Sequence, residues 1–356
     1  MPDELRLILA FAVAAGLVQL GVPLAIRVAL ATGFLDQPVG YKQHGRATPY
    51  LGGLGLMAAV LPVALILGGG SEVVVIVACA GALCVVGMID DRVNLGPLTR
   101  VFAEFAAAFA IWQADLGWLL FDQGILNLAL TTVWVVGLVN AFNLMDNLDG
   151  AAATVGGISA AGVGVLAATQ GETAIAAMMV ALAGACIGFL RFNLARPSQI
   201  FLGDGGSMPL GFLVAAGVTA IPATDGFGTA AVFAVVPLVG VAVLDTTLVV
   251  VSRVRRGVGM FTGGRDHLTH RLLNPLGTPQ KVALALATAQ AALCAIGFLL
   301  FDSTIVTVFG AASAYVLLGA GTIALLEWPY VREEARAAAE EALAPALAAA
   351  QQESGS

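Results

Sequence analysis

The sequence predicts an all-α protein, a polytopic membrane helix bundle of about 10–11 transmembrane helices, and three observations carry that expectation. The chain is 59% hydrophobic and only 11% charged, against roughly 25% charged in a soluble globular domain. Apolar runs of about 20 residues, long enough to cross a bilayer as helices, recur from end to end. No polar stretch is long enough for a separate soluble domain. Residues 1–328 are therefore read as a single transmembrane unit, followed by an Ala/Glu-rich tail over 329–356.

Taken in order, the spans are 5–32, 51–68, 72–90, 99–115, 126–145, 151–168, 173–192, 207–221, 228–251, 279–300 and 304–326. The first lacks a basic leader and a clear small-residue cleavage site, so it is read as a retained helix and not a signal peptide. Several later spans are short or Gly-rich, which suits helices packed closely through small residues. The four cysteines, Cys79, Cys84, Cys186 and Cys294, all fall inside apolar runs. Without CxxC or Cys/His metal spacing they read as small core residues.

The sixteen Lys and Arg residues orient the bundle. Lys42 and Arg46 follow span one, Arg92 and Arg100 span three, and Arg191 and Arg196 span seven; Arg253, Arg255, Arg256, Arg265 and Arg271 follow span nine. The connections after spans two, four, six, eight and ten contain neither Lys nor Arg. By the positive-inside rule the odd-numbered connections face the cytoplasm, which puts the N-terminus outside and the tail inside. Arg6 is the exception. The protein is expected in the inner (plasma) membrane, multi-pass. The net charge of −7 is spread over loops and tail, and no nucleic-acid partner is expected.

Polar chemistry collects on that cytoplasmic side. The loops read "DQPVGYKQHGRATPYLGG", "DDRVNLGPLTR", "NAFNLMDNLDG", "RFNLARPSQIFLGDGGS" and "GGRDHLTHRLL". Ionisable groups at membrane depth are expensive and by default mark function. Asp90, Asp91, Asp146, Asp149 and Asp204 would repel one another unless a cation neutralised them, and hard oxygen donors favour Mg²⁺ or Mn²⁺. The arginines and histidines beside them suit a phosphate. "GDGGS" reads as a turn whose free N–H groups, at a helix N-terminus, favour an anion. Together these are what phosphoryl transfer requires. Each signal has a bland counterpart: adjacent acids are often solvated caps, His267 and His270 could be interfacial, and Asp245 in span nine could be a hydrogen-bonded packing acid. The gathering of all of them on one side favours a site. A transporter would instead carry charge near mid-membrane on paired broken helices, and no convincing repeat is present.

These motifs resemble those of the polyprenyl-phosphate N-acetylhexosamine-1-phosphate transferase family, and the resemblance covers nearly the whole chain to about residue 328. "DQPVGYKQHGRATPYLGG" is similar to D-x-P-x-x-x-K-x-H-x-x-x-x-P-x-x-GG, "NAFNLMDNLDG" to N-x-x-N-x-x-DG-x-DG, "FLGDGGS" to F-x-GD-x-GS, and "DHLTHRLL" to D-x-x-H-x-HHRL. "DDRVNLGPLTR" resembles the family's DD loop. Asn147 replaces a glycine of the third pattern and Thr269 the middle histidine of the last. The CDP-alcohol phosphatidyltransferase pattern is not met.

The resemblance implies transfer of a sugar-1-phosphate, with GlcNAc-1-phosphate as first choice, from a UDP-sugar to a polyprenyl phosphate, releasing UMP. Other UDP-N-acetyl amino sugars or UDP-MurNAc-pentapeptide are the alternatives. By position, Asn143 and Asp204 are the expected Mg²⁺ (or Mn²⁺) ligands. Asp90 and Asp91 serve the lipid phosphate or assist the metal, and Arg100 meets that phosphate. Phe201 stacks on uracil, with Asp149 and Gly150 lining the nucleotide pocket. Arg46, His267, His270 and Arg271 hold diphosphate or sugar. Lys42, His44, Asn140, Asp146, Arg265 and Asp266 complete the substrate-binding set. A homodimer is common among such proteins.

Overall fold

The computed structural model describes residues 1–36, 47–221, 228–259, 264–301 and 303–354, with side chains described throughout except at 228–231 and 333–354. Lys42, His44 and Arg46 lie outside the described residues. The architecture is all-α. In chain order the helices are α1 (Asp3–Thr32), α2 (Gly52–Val63), α3 (Gly70–Val93), α4 (Pro97–Gln113), α5 (Gly124–Met145), α6 (Ala151–Thr169) and α7 (Thr173–Asn193). They continue with α8 (Asp204–Thr219), α9 (Gly228–Val235), α10 (Gly240–Arg256), α11 (Leu268–Leu276), α12 (Pro279–Phe301) and α13 (Ile305–Ser354).

All eleven apolar segments coincide with helix. Among the described residues, eight stretches are long and apolar enough to cross a membrane. The other three are shorter: α4 has 17 residues and α8 has 16, and α2 reaches Gly68 only through a π-helical turn. Three features were not expected from hydropathy. The strands β1 (Leu35–Asp36) and β2 (Thr48–Pro49) pair antiparallel, Leu35 opposite Pro49. The nine-residue helix α11 lies in the last of the arginine-rich loops. Helix α13 also runs unbroken past residue 328 to Ser354.

Helix α8 is the axis of the bundle. Every residue from Gly205 to Thr219 is buried, and α2, α3, α5, α6 and α7 pack around it. Beyond its first turn the helix carries no polar stripe and has no solvent face to offer, so burial on every side is the expected outcome. Helix α1 packs on α2 and α7, and α12 on α6. Helix α13 lies at the periphery and leaves Val306, Leu317, Leu318 and Leu325 largely exposed, as a lipid-facing helix does.

Small residues set the approach of the helix ends that form the site. A Cβ on Gly53 would lie 2.1 Å from the backbone N of Gly206, and one on Gly87 would lie 2.3 Å from the backbone O of Asp204. Backbone cannot give way as a flexible side chain does, so α2 and α3 reach the start of α8 only with glycine at these positions. Gly53→Ala should therefore destabilise the bundle by about 1–3 kcal/mol. Gly96→Ala, where a Cβ would meet nothing within 4 Å, serves as the control. Thermal unfolding midpoints in detergent measure both, and equal midpoints would refute this account of the contact.

Candidate functional site at the helix ends around α8

The site is built from one unmet requirement. Helix α8 begins after Gly203, which sits at φ 71° and has no side chain to cap the free amides of the first turn. Asp91, on the last turn of α3, supplies the cap. Its Oδ1 accepts from the Asp204 N–H at 2.9 Å and its Oδ2 from the Gly205 N–H at 3.0 Å. The next two amides, of Gly206 and Ser207, donate to the Gly203 carbonyl at 2.9 Å each. Asp146, just past α5, accepts the Gly203 N–H at 3.1 Å. The expectation of free N–H groups at "GDGGS" is thereby corrected: the anions at this helix end are the protein's own carboxylates. Both oxygens of Asp91 are engaged in holding α8.

Asp90, its neighbour, faces another partner. Helix α3 ends at Asn94, in the left-handed region at φ 52°, and the turn brings the Leu95 N–H onto Asp90 Oδ1 at 2.5 Å. Pro97 starts α4, as proline suits a first helical position, and Arg100 follows on its first turn. One guanidinium nitrogen of Arg100 bridges Asp90 Oδ2 at 3.0 Å and Asp204 Oδ2 at 3.2 Å. Asn143 on α5 donates to Asp204 Oδ1 at 2.7 Å and to Ser207 Oγ at 3.1 Å. So Asp90, Arg100, Asn143 and Asp204, drawn from three loops, are in direct contact, with Asp91 and Asp146 bound to the same helix start.

Asn140 goes elsewhere. Its amide donates to Glu104 Oε2 at 2.6 Å and to the Val136 carbonyl at 2.9 Å. Glu104 is buried, one turn beyond Arg100 on α4. Sequence reasoning missed it, although a lone acid inside an apolar span was a signal for it. Tyr50 was also missed. Its ring meets Phe201 edge-on at 6.2 Å. Burial, then the carboxylates of Asp91, Asp204, Asp146 and Asp36, push its hydroxyl far above the ordinary range, so it stays a protonated donor. Phe201 is tied to the first loop by its backbone: its N–H donates to the Pro49 carbonyl at 2.9 Å, and its carbonyl accepts from Gly52 at 3.0 Å. Gly150, at φ 80°, begins α6 and donates its N–H to Asn193 Oδ1 at 2.6 Å. Asp149 lies beside it, partly exposed.

The last loop forms a second cluster. Asp266 pairs with Arg253 at 3.0 Å and Arg256 at 2.7 Å. Arg271, expected to hold diphosphate or sugar, is largely buried by protein contacts and also lines the cavity beside Arg265 and His270. It donates to the carbonyls of Asp266 (3.1 Å) and Leu326 (2.5 Å) and to Ser252 Oγ (3.2 Å), and pairs with Glu327. Its guanidinium also lies 4.6 Å from the Tyr330 ring centre. It staples α11 to α13. Arg265 and His270 line a cavity of about 350 Å³ with Arg256 and Asn274. Burial first, then the charges of Arg265 and His267, lower the His270 imidazole to about 4, so it is neutral at physiological pH. The two departures from the family patterns touch each other: the Thr269 hydroxyl donates to Asn147 Oδ1. That contact ties α11 to the loop carrying Asp146 and Asp149.

The donor set suits a hard cation. Four carboxylates (Asp90, Asp91, Asp146, Asp204) gather at this helix start, and Arg100 pairs with two of them, Asp90 and Asp204. The crowding of other atoms around Asp146, with Asp204 and Asp91 adding charge, pushes its carboxyl well above the usual range. Among the described residues no three acid, histidine or cysteine side chains form a ready cage. Mg²⁺ needs none, being held typically by one or two carboxylates, waters and substrate phosphates.

Comparison with known proteins follows the same stretch. The family model described as glycosyl transferase family 4 matches residues 73–222, from α3 to the end of α8. A probable undecaprenyl-phosphate N-acetylglucosaminyl 1-phosphate transferase of Bacillus subtilis is 28% identical over 77% of this chain and 79% of its own length. A decaprenyl-phosphate N-acetylglucosaminephosphotransferase of Mycobacterium leprae is 33% identical over 74% and 78%. An undecaprenyl-phosphate alpha-N-acetylglucosaminyl 1-phosphate transferase of Escherichia coli is 25% identical over 77% and 78%.

The Asp266 cluster gives a pH test. Burial raises the Asp266 carboxyl, but the hydrogen bond and charge of Arg253 outweigh it, leaving it below its ordinary 3.8. A depressed native value contributes stability above the unfolded value and loses it as pH falls through the native one. Asp266→Asn should cost about 3 kcal/mol near neutrality by removing the carboxylate that Arg253 and Arg256 share, and the gap to the parent should narrow below about pH 4. Unfolding in detergent across that range reads it, and a gap that does not vary with pH would exclude the ion pair as its source.

Proposed function

The chain belongs to glycosyl transferase family 4, among the polyprenyl-phosphate N-acetylhexosamine-1-phosphate transferases, and from that premise we propose that it transfers GlcNAc-1-phosphate from UDP-GlcNAc to a polyprenyl phosphate. The observation that carries this reading is the convergence of Asp90, Arg100, Asn143 and Asp204 from three separate loops onto the start of one buried helix. Two anions must meet there, and the arrangement is fitted to that problem.

The active site faces the cytoplasm, on the side the arginine-rich loops define, in the plasma membrane. A phosphate oxygen of the lipid attacks the phosphorus that bears the sugar. The bond from that phosphorus to the UMP oxygen breaks, and UMP departs with the electron pair. The attacking phosphate is largely ionised near neutrality, so positioning and charge neutralisation matter more than a general base. Arg100 is placed to receive the lipid phosphate between Asp90 and Asp204. An apolar groove of about 570 Å³ between α4 and α5, lined by Leu98, Val101, Phe102 and Phe105 of α4, suits a polyprenyl chain. Asp204 and Asn143 would hold Mg²⁺ or Mn²⁺, which supplies charge neutralisation at the phosphates. Tyr50 and Phe201 flank the first and fourth loops where the nucleotide base would lie, and His267 is assigned to the diphosphate. A homodimer is compatible with this reading.

Purified protein given labelled UDP-GlcNAc and polyprenyl phosphate should release UMP and form a lipid-linked diphosphate sugar. EDTA should stop turnover and Mg²⁺ restore it. Asp204→Asn should reduce kcat by at least about 10²-fold while the protein remains folded. A covalent phospho-enzyme, or full activity in the variant, would overturn the direct transfer described here.

A further inference from the structure

Asp245 is completely buried, with 0% of its surface exposed, in the middle of α10. A carboxylate there is costly unless it is fully partnered. Its partners are two consecutive residues of one loop. Oδ2 lies 3.0 Å from His267 Nδ1, and Oδ1 accepts the Leu268 N–H at 2.6 Å. Leu268 is the first residue of α11 and His267 its N-cap, whose imidazole makes no cap of its own. Asp245 therefore caps α11 from another helix and, with its second oxygen, grips the ring at the cap position.

We propose that Asp245 is a positioning residue for His267, fixing both its ring orientation and its tautomer. An ionised carboxylate only accepts, so the nitrogen facing it carries the proton. Nε2 is then the edge left for a ligand, as an acceptor in the neutral ring and as a second donor in the charged one. Among the described residues Nε2 makes no hydrogen bond, and the His267 side chain is only 5% exposed. It is held in one orientation and not freely rotating. His270, 6.3 Å away ring to ring, has no such anchor: its Nδ1 is buried without a partner. The two histidines, which sequence alone treats as equivalent, differ in this respect, and His267 is the one preorganised to act on a diphosphate. This assignment of the ligand rests on the proposed transferase reading; the Asp245–His267 geometry does not.

The test pairs a spectroscopic with a kinetic measurement on the full chain. Asp245→Asn can still accept the Leu268 N–H through its oxygen, but it turns an N–H₂ donor toward Nδ1. In ¹⁵N-histidine spectra of the unsubstituted protein, the signal lost in His267→Gln should show a proton on Nδ1; in Asp245→Asn it should switch to the Nε2–H tautomer. UMP release should fall about 10- to 100-fold in Asp245→Asn, and in a His267→Gln background the same substitution should change it by less than about 2-fold, because a residue acting through another adds nothing once the other is gone. Multiplying losses, or an Nδ1 without its proton in the unsubstituted protein, would overturn the proposal. The spectrum of the unsubstituted protein decides even if Asp245→Asn does not fold. If the unsubstituted protein releases no UMP, the transferase reading fails while the spectra still read the Asp245 contact.

Discussion

The contact on which the rest of the site depends is the carboxylate of Asp91 against the first two amides of α8. A helix start without a capping side chain, buried within a membrane protein, must find acceptors elsewhere, because neither water nor lipid supplies them freely. Here α3 supplies the acceptor, and Gly87 lets it come close enough to do so. Once α3 and α8 are joined, Asp90 and Asp204 fall on either side of Arg100, and Asn143 reaches Asp204 from α5. The polar cluster is thus a consequence of how one buried helix is terminated.

The same solution is used twice. Helix α11 also begins without a side-chain cap of its own and receives one from a buried aspartate on another helix, Asp245. In both places the carboxylate completes a helix end and at the same time orients a functional segment. The electrostatic outcomes differ. Around α8, among the described residues, the carboxylates of Asp90, Asp91, Asp146 and Asp204 gather about the guanidinium of Arg100 and the helix start. Around α11, Arg253, Arg255, Arg256 and Arg271 are paired with Asp266 and Glu327, so much of the positive charge that looked available for phosphate is already spent on structure. Removing one partner from such a buried pair is costly, which makes these arginines fixed posts more than mobile ligands.

Part of this was legible from sequence and part was not, for physical reasons. The eleven apolar segments were visible because a membrane helix must be apolar over its whole length, and this is a property of consecutive residues. The short helix α11 escaped because hydropathy is silent about an amphipathic nine-residue element. Asp90 and Asp204 were legible as a group because charge at membrane depth is rare, and Asn143 only through the resemblance of its motif. Arg271 was legible only as a cation, since its chain-local surroundings contain no hint that Leu326 and Glu327, over fifty residues away, enclose it. Glu104 and Tyr50 were readable in principle, as an acid within an apolar run and a phenol beside a double glycine, but neither acquires a role until α4 and α8 are placed against α5 and the first loop.

Sequence by itself determined that this is a many-spanning helical protein, which loops carry its ionisable groups, and which motifs it shares with its family. These are local properties: hydropathy over a window, charge at an end, residue types at fixed spacing. Only the tertiary structure decided which carboxylates pair with Arg100 and which serve as caps, that Asn147 and Thr269 form one contact and not two separate departures, and that His267 is anchored while His270 is not. Hydrogen-bond partners separated by as many as 172 positions in the chain are chosen by how helices pack, and no window along the sequence contains that choice.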